Sequence, residues 1–245
     1  MSKKDTLIEI CNFVYQAAQE LASRLTPDER QLTGQPERWS YKDVLSHIAL
    51  WDKRLTDNLR AIASGSEAHA HPDYEAINSQ DFLDHRDDAW EQIEGRLADA
   101  RESLLSALAA LNEDQLDAVG LLPSSQGERP VWRLIAGNSG IHAMMHLDEL
   151  YLEHGDDPIA LQVVEDASTL LMKLDDAPEW QGILLYNQAC YHSLVGETEQ
   201  AIELLGPALE LKPDLIELAR KDPDLDPIRS DPAFQQIFAD LESKA

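Results

Sequence analysis

Apolar residues recur along this chain at three- and four-residue intervals, and no convincing run of alternating β-branched residues interrupts them. That periodicity marks amphipathic helices, each with one buried stripe. The first is expected from about Asp5 to Leu25, with Leu7, Ile10, Cys11, Val14, Ala17, Ala18 and Leu21 inward. Thr26-Pro27 ends it, and a polar loop containing Gly34 and Pro36 leads to Arg38-Trp39-Ser40. Ser40 with Asp43 three residues later reads as a helix N-cap. The second helix therefore runs from Ser40 to about Ser64 and stops at Gly65. Val44, Leu45, His47, Ile48, Trp51, Leu55, Leu59 and Ile62 share its inward face, so His47 points into the protein.

Residues 65–73 read as a solvated loop containing His69 and His71, followed by a short turn of helix at Tyr74–Asn78. A single long helix is expected from about Asp81 to Leu111, with Phe82, Trp90, Ile93, Leu97, Leu104, Leu105, Leu108 and Leu111 inward and His85 facing solvent or capping a neighbour. The loop from Asn112 to Arg129, with Gly120, Pro123, Ser124, Ser125 and Gly127, is long enough to shape the rim of a site. Pro130 suits the first turn of a fourth helix that reaches Leu152, and Gly155 terminates it. The fold class is all-α: a four-helix bundle over residues 1–155, then a second helical region over 156–245.

Residues 159–174 are amphipathic, and Ala177-Pro178 breaks them. Gly182 to Pro213 resembles the helical pair of a tetratricopeptide repeat. Counting Gly182 as position one, Ala189 falls at eight, Gly196 at fifteen, Ala201 at twenty, Ala208 at twenty-seven and Pro213 at thirty-two. Leu185 stands at position four, where such repeats carry an aromatic residue. One unit cannot cover both of its faces, so it is expected to pack on the 159–174 helix and on the closing segment. That segment contributes Leu225, Ile228, Phe234, Ile237 and Phe238.

Charge narrows the range of partners. With 46 acidic and 20 basic residues the net charge is −26, which repels phosphate backbones and anionic lipid. Neither nucleic acid nor a membrane is expected as a partner. No segment approaches the roughly 18–20 apolar residues of a membrane span. The opening Met1-Ser2-Lys3-Lys4-Asp5 leads into an amphipathic helix and not an apolar signal core, so a cytoplasmic location is expected. Cys11 and Cys190 make no disulfide framework, and Cys190 reads as buried packing.

The chemistry lies in histidines. His142 and His146 are four apart, the spacing at which one helix face offers two imidazoles to one metal ion. With the inward-facing His47 they form a candidate metal site, His47, His142 and His146, suited to zinc, nickel, iron or copper and leaving a coordination position open. Asn138 and Glu149 lie near the same face, where either could orient an imidazole or relay a proton. Trp51 and Trp132 are candidates for the pocket wall.

The stretch Trp39-Ser40-Tyr41-Lys42-Asp43-Val44-Leu45-Ser46-His47-Ile48-Ala49-Leu50-Trp51-Asp52 resembles the second-helix signature of the DinB/YfiT-like superfamily. Tyr74-Glu75-Ala76-Ile77-Asn78 is similar to a turn in its colibactin-resistance (ClbS/DfsB) branch, and His142 and His146 match the superfamily's fourth-helix pair. The resemblance covers about residues 5–154. It implies a four-helix bundle holding a divalent metal (zinc, nickel or iron) through His47, His142 and His146. It further implies transferase or hydrolase chemistry on a small electrophilic molecule, with a low-molecular-weight thiol as a possible co-substrate, of a detoxification type. Two other readings stand beside it. One is a binding scaffold that uses the tetratricopeptide-like region to hold a protein partner. The other is metal-independent protection against a reactive natural product. The resemblance also admits a homodimer. Two departures count against a simple transfer: the C-terminal region is not part of the basic bundle, and no Arg- or Lys-lined thiol pocket is recognisable.

Overall fold

The structure is a computed structural model that describes residues 2–123 and 127–244. Every regular element among them is helical, which makes the protein all-α. The chain divides into two compact units, Met1–Leu150 and Tyr151–Ala245.

In the first unit, α1 (Lys3–Arg24) starts from a capping box between Ser2 and Asp5. A short α2 (Pro27–Gln31) is capped in the same way by Thr26 and Glu29. Next comes α3 (Tyr41–Ser64), which begins at Ser40 and ends on Gly65, whose φ of 74° suits a residue without a Cβ. α4 (Tyr74–His85) and α5 (Trp90–Ala110) follow, then α6 (Glu113–Asp117). The last long element is built in three pieces: α7 (Val131–Ile135), a π-helical segment (Ala136–His142), and α8 (Ala143–His154). α5 packs on both α1 and α3, and the π segment packs on both α1 and α3. Four helical rods thus close a ring around one core. Leu7, Ile10, Leu21, Leu45, Leu59, Ile93, Leu104, Leu108 and Ile135 fill it, each essentially inaccessible to solvent.

Three expectations about this unit need correction. The helix expected from Asp81 to Leu111 is two helices, because the chain breaks between His85 and Trp90. At the break Ala89 is extended, and its N–H donates to Gln92 Oε1, which starts a fresh helix. The Asp88 carboxylate draws in His85 and Arg96, fixing the corner. Phe82 and Trp90 both face inward, eight residues apart, so periodicity alone runs straight through the break. The short turn of helix expected at Tyr74–Asn78 is longer, the start of the twelve-residue α4 capped by Asp73. The fourth helix is not continuous either: Gly137, Asn138, Ser139 and Gly140 are weak helix formers, and here the ladder loosens into a π segment. Ser124 and Ser125 of the expected rim loop lie outside the described residues.

The loop after α3 is tied down rather than merely solvated. Asn58 Nδ2 donates to the His69 carbonyl at 3.0 Å and Asn58 Oδ1 accepts from the His69 N–H at 2.8 Å, as a neighbouring backbone would. Ala68 is buried beneath it.

The second unit holds α9 (Asp157–Met172), α10 (Pro178–Leu194), α11 (Thr198–Leu211), α12 (Ile216–Ala219) and α13 (Pro232–Lys244). α10 and α11 pack closely, with Ala189, Ala201 and Ala208 fully buried between them. A Cβ at Gly182 would stand 3.1 Å from the Ala208 carbonyl. The small residues therefore set how near the two helices come. Leu225, Ile228, Phe234 and Phe238 complete this core, as the sequence suggested. Trp180 anchors α10 to α9 by donating its indole N–H to the Leu171 carbonyl at 2.9 Å.

Two glycines of the first unit give opposite expectations. A Cβ at Gly34 would fall 2.5 Å from Ser40 N and 2.8 Å from the Arg38 carbonyl, whereas one at Gly95, on the wet face of α5, meets nothing within 4 Å. Gly34→Ala should lower stability by about 1–3 kcal/mol through forced backbone displacement. Gly95→Ala should raise it by about 0.5–1 kcal/mol by removing backbone freedom from the unfolded chain. Thermal unfolding of the two variants beside the parent checks both signs.

Candidate metal centre

His47 depends on how α3 begins. Asp43, one turn before it, accepts hydrogen bonds at Oδ2 from the Gly34 N–H (2.9 Å), the Ser40 N–H (2.8 Å) and the Ser40 hydroxyl (2.6 Å). This fixes the approach of the preceding loop and the helical register, so the imidazole one turn later enters the core with only 4% of its surface exposed. His142 is the last residue of the π segment, and His146 lies one turn into α8.

The structure brings all three together. His142 Nε2 lies 3.2 Å from His47 Nε2 and 3.2 Å from His146 Nε2. The ligand atoms of the three all fall within 4.8 Å of one another. The rings stand edge to face, at 67°, 84° and 78° to one another, which points their nitrogens at a common centre.

This donor set fits a divalent metal. Two nitrogens bound at about 2.0–2.1 Å to one ion in near-tetrahedral geometry sit roughly 3.2–3.4 Å apart, the separation seen here. The ligand form is the neutral imidazole, and the surroundings enforce it. Burial pushes His47 down to about 3, with His146 and His142 adding to the effect. Burial likewise pushes His142 down to about 4, assisted by His146, while a backbone hydrogen bond at Asn138 opposes the shift. His47 Nδ1 is buried with no hydrogen-bond partner among the described residues, and Nε2 is the nitrogen that faces His142.

The groups around the histidines divide differently from the sequence reading. Asn138 does not turn its side chain toward an imidazole: its Nδ2 donates to Asp52 Oδ1 at 3.3 Å. The Ser139 hydroxyl donates to the same oxygen at 2.5 Å. Burial pushes the Asp52 carboxyl up to about 6, against the pull of Ser139. Asp52 and Ser139 are the residues that periodicity missed. The available signal was a carboxylate on the buried half of α3, opposite a Gly-Asn-Ser-Gly run. Glu149 Oε2 stands 3.8 Å from His146 Nδ1, near the ring nitrogen turned away from the cluster. Trp51 lies edge-on to His47 at 6.3 Å, whereas Trp132 packs by Lys3, whose ammonium is 5.0 Å from its ring. Trp39 covers the site more closely than either, with ring centroids 4.8 Å from His47 and 6.5 Å from His146.

A cleft opens beside His47, lined by Trp39, Leu50, Asn78 and Phe82 among others. α4 forms its far wall and is clamped to α3 by two contacts in matching register. The Trp51 indole donates to Asn78 Oδ1 at 2.9 Å, and Arg54 pairs with Asp81 at 2.7 Å. His85 lines the same cleft. Its Nδ1 meets Asp88 at 2.9 Å and Arg96 at 3.1 Å, in keeping with a histidine that engages its neighbours.

In the second unit Cys190, Asp222 and Asp224 also bring ligand atoms within 4.8 Å of each other. Asp222 there already accepts the Tyr186 hydroxyl at 2.6 Å and the Asp224 N–H at 3.2 Å, and burial pushes the Cys190 thiol up, away from the thiolate. Both cysteines are free and buried, in keeping with Cys190 as packing. Among the described residues no helix is long and apolar enough to cross a membrane.

Bundle, cleft and histidine cluster accord with the comparison to known families. The family model of the DinB superfamily matches residues 12–150, more than half of the chain, and the chain belongs to that superfamily. Neither the curated proteins nor the solved structures give a match.

The Asp52 site predicts an unusual pH response. A carboxyl whose folded value lies above its ordinary 3.8 gains a proton on folding. Its contribution to stability is complete below that ordinary value and is lost as pH rises through about 6. Between about pH 4 and pH 7 the parent protein should lose on the order of 2–3 kcal/mol relative to Asp52→Asn, which keeps the acceptor and removes the charge. Denaturant unfolding of both proteins across that range measures the difference.

Proposed function

We propose that this protein is a metal-dependent transferase or hydrolase acting on a small electrophilic molecule, with a divalent metal (zinc, nickel or iron) held by His47, His142 and His146. The observation that carries the reading is the convergence of three imidazole nitrogens from two rods of one bundle, one of them on His47, which lines a cleft. Membership of the DinB superfamily is compatible with it. A low-molecular-weight thiol or a water is the nucleophile in this reading.

A metal in that position would act as a Lewis acid and lower the pKa of a water or thiol beside it toward neutrality. The chain's own residues do the rest. His47 and His142, held neutral by burial, leave their Nε2 lone pairs free without proton competition at neutral pH. Glu149, close to the outward nitrogen of His146, favours a proton there and so keeps Nε2 as the donor. Trp39 and Phe82 supply apolar surface that thins water from the cleft and strengthens electrostatic interactions inside it. The clamp between α3 and α4 holds the far wall at a fixed distance from the imidazoles.

Metal analysis of untagged protein tests this directly. The parent should carry about one divalent metal per chain. His47→Ala, His142→Ala and His146→Ala should each weaken metal binding by more than about 100-fold, beyond the 10–100-fold that loss of an outer supporting group costs. Stoichiometric metal retained in His47→Ala and in His146→Ala would remove the basis of the proposal.

A further inference from the structure

The geometry points to an anion subsite at Arg86, so that the cleft takes a small molecule with an apolar body and a carboxylate. The subsite stands on its own contacts. The placement of the reacting end of that molecule at the imidazoles rests on the metal reading above.

Arg86 lines the cleft from the C-terminal end of α4. Its backbone is fixed on both sides: its N–H donates to the Phe82 carbonyl at 2.9 Å, and its own carbonyl accepts the Thr33 hydroxyl at 3.4 Å. Its guanidinium lies 5.2 Å from the centre of the Phe82 ring. That contact holds the planar cation against the apolar wall and costs it none of its in-plane donors. Among the described residues no carboxylate lies within ion-pair distance of Arg86, in a chain with 46 acidic and 20 basic residues. With acid so abundant, an arginine left over at a cleft is a group whose counter-charge comes from outside.

The remaining polar groups of the cleft agree with this. Its two carboxylates are already engaged. Asp43 holds Ser40 and Gly34, and Asp81 is paired with Arg54, its other oxygen shut away from solvent. His85 is engaged by Asp88 and Arg96. Asn78 spends its carbonyl oxygen on the Trp51 indole, which leaves its amide N–H groups unmatched among the described residues. The uncommitted groups are thus donors: the guanidinium fork of Arg86 and the Asn78 amide. Such a pair recognises a planar acceptor with two oxygens, and Arg matches a carboxylate in two parallel hydrogen bonds. Trp39, Leu50 and Phe82 line the same cleft and offer apolar surface to an aryl or alkyl body.

The test compares 3-phenylpropanoate with its neutral amide, 3-phenylpropanamide, by isothermal titration into the full chain. Metal-loaded and chelator-treated protein are both used, and the metal content of every sample is measured. The carboxylate should bind at least about tenfold more tightly than the amide, equivalent to about 1.4 kcal/mol. That preference should persist after chelation, fall to near parity in Arg86→Gln and be partly kept in Arg86→Lys, with the melting temperature unchanged. Equal binding of the two probes, or no binding of either at millimolar concentration, overturns the inference. So does a preference that Arg86→Gln leaves intact, or one that disappears with the metal alone. A parent protein that shows the Arg86-dependent preference but never holds metal would instead sink the function proposed above and leave the subsite standing.

Discussion

Three imidazole nitrogens held about a hydrogen-bond length apart inside an apolar bundle cannot all satisfy one another. Each neutral ring has a single N–H, and protonating His47 or His142 in that setting is opposed by burial and by the neighbouring ring of His146. A cation between them resolves the conflict, because it turns mutual repulsion of lone pairs into shared attraction. The bundle is arranged so that the conflict arises: α3 and the final rod each turn polar groups inward where leucines would pack at no cost. Such an arrangement is expensive to keep without a ligand, and it is the firmest reason to see a site here.

Everything that aims these rings is local and modest in energy. One carboxylate, Asp43, gathers the loop from Gly34 to Ser40 and sets the phase of α3. A second, Asp52, gathers Asn138 and Ser139 and sets the phase of the opposite rod. Both carboxylates lie on α3, on either side of His47. The helix therefore carries the first of the three histidines and also holds in place the elements that frame the site. The far wall hangs from the same helix through Trp51 and Arg54.

Much of this was legible in the sequence because helix periodicity is a strong signal and histidine is rare on buried stripes. The inward turn of His47 followed from Val44, Ile48 and Trp51 around it, and the meeting with His142 and His146 followed from spacing and family resemblance. The break between His85 and Trp90 was hidden because apolar residues on its two sides keep the same phase, while the signal for the break, a side-chain cap by Gln92 on Ala89, is weak. The π segment was hidden for a related reason. Its glycines lower helix propensity without naming an alternative, and the alternative is chosen by a carboxylate 86 residues away along the chain. Trp39 stood in a recognisable motif, yet only packing shows that its ring covers the histidines. In the second unit the small residues between α10 and α11 were readable as a close helix contact, because only side-chain size decides how near two helices come.

The π segment also governs the direction in which the final rod looks. Each residue of an α-helix advances about 100° around the axis, so the length of this stretch acts as a phase key for all that follows. Shortening it by one position would leave the composition of α8 untouched while swinging His146 and its neighbours through more than a quarter of a turn. The address of the cluster is thus written less in the histidines themselves than in how many residues precede them.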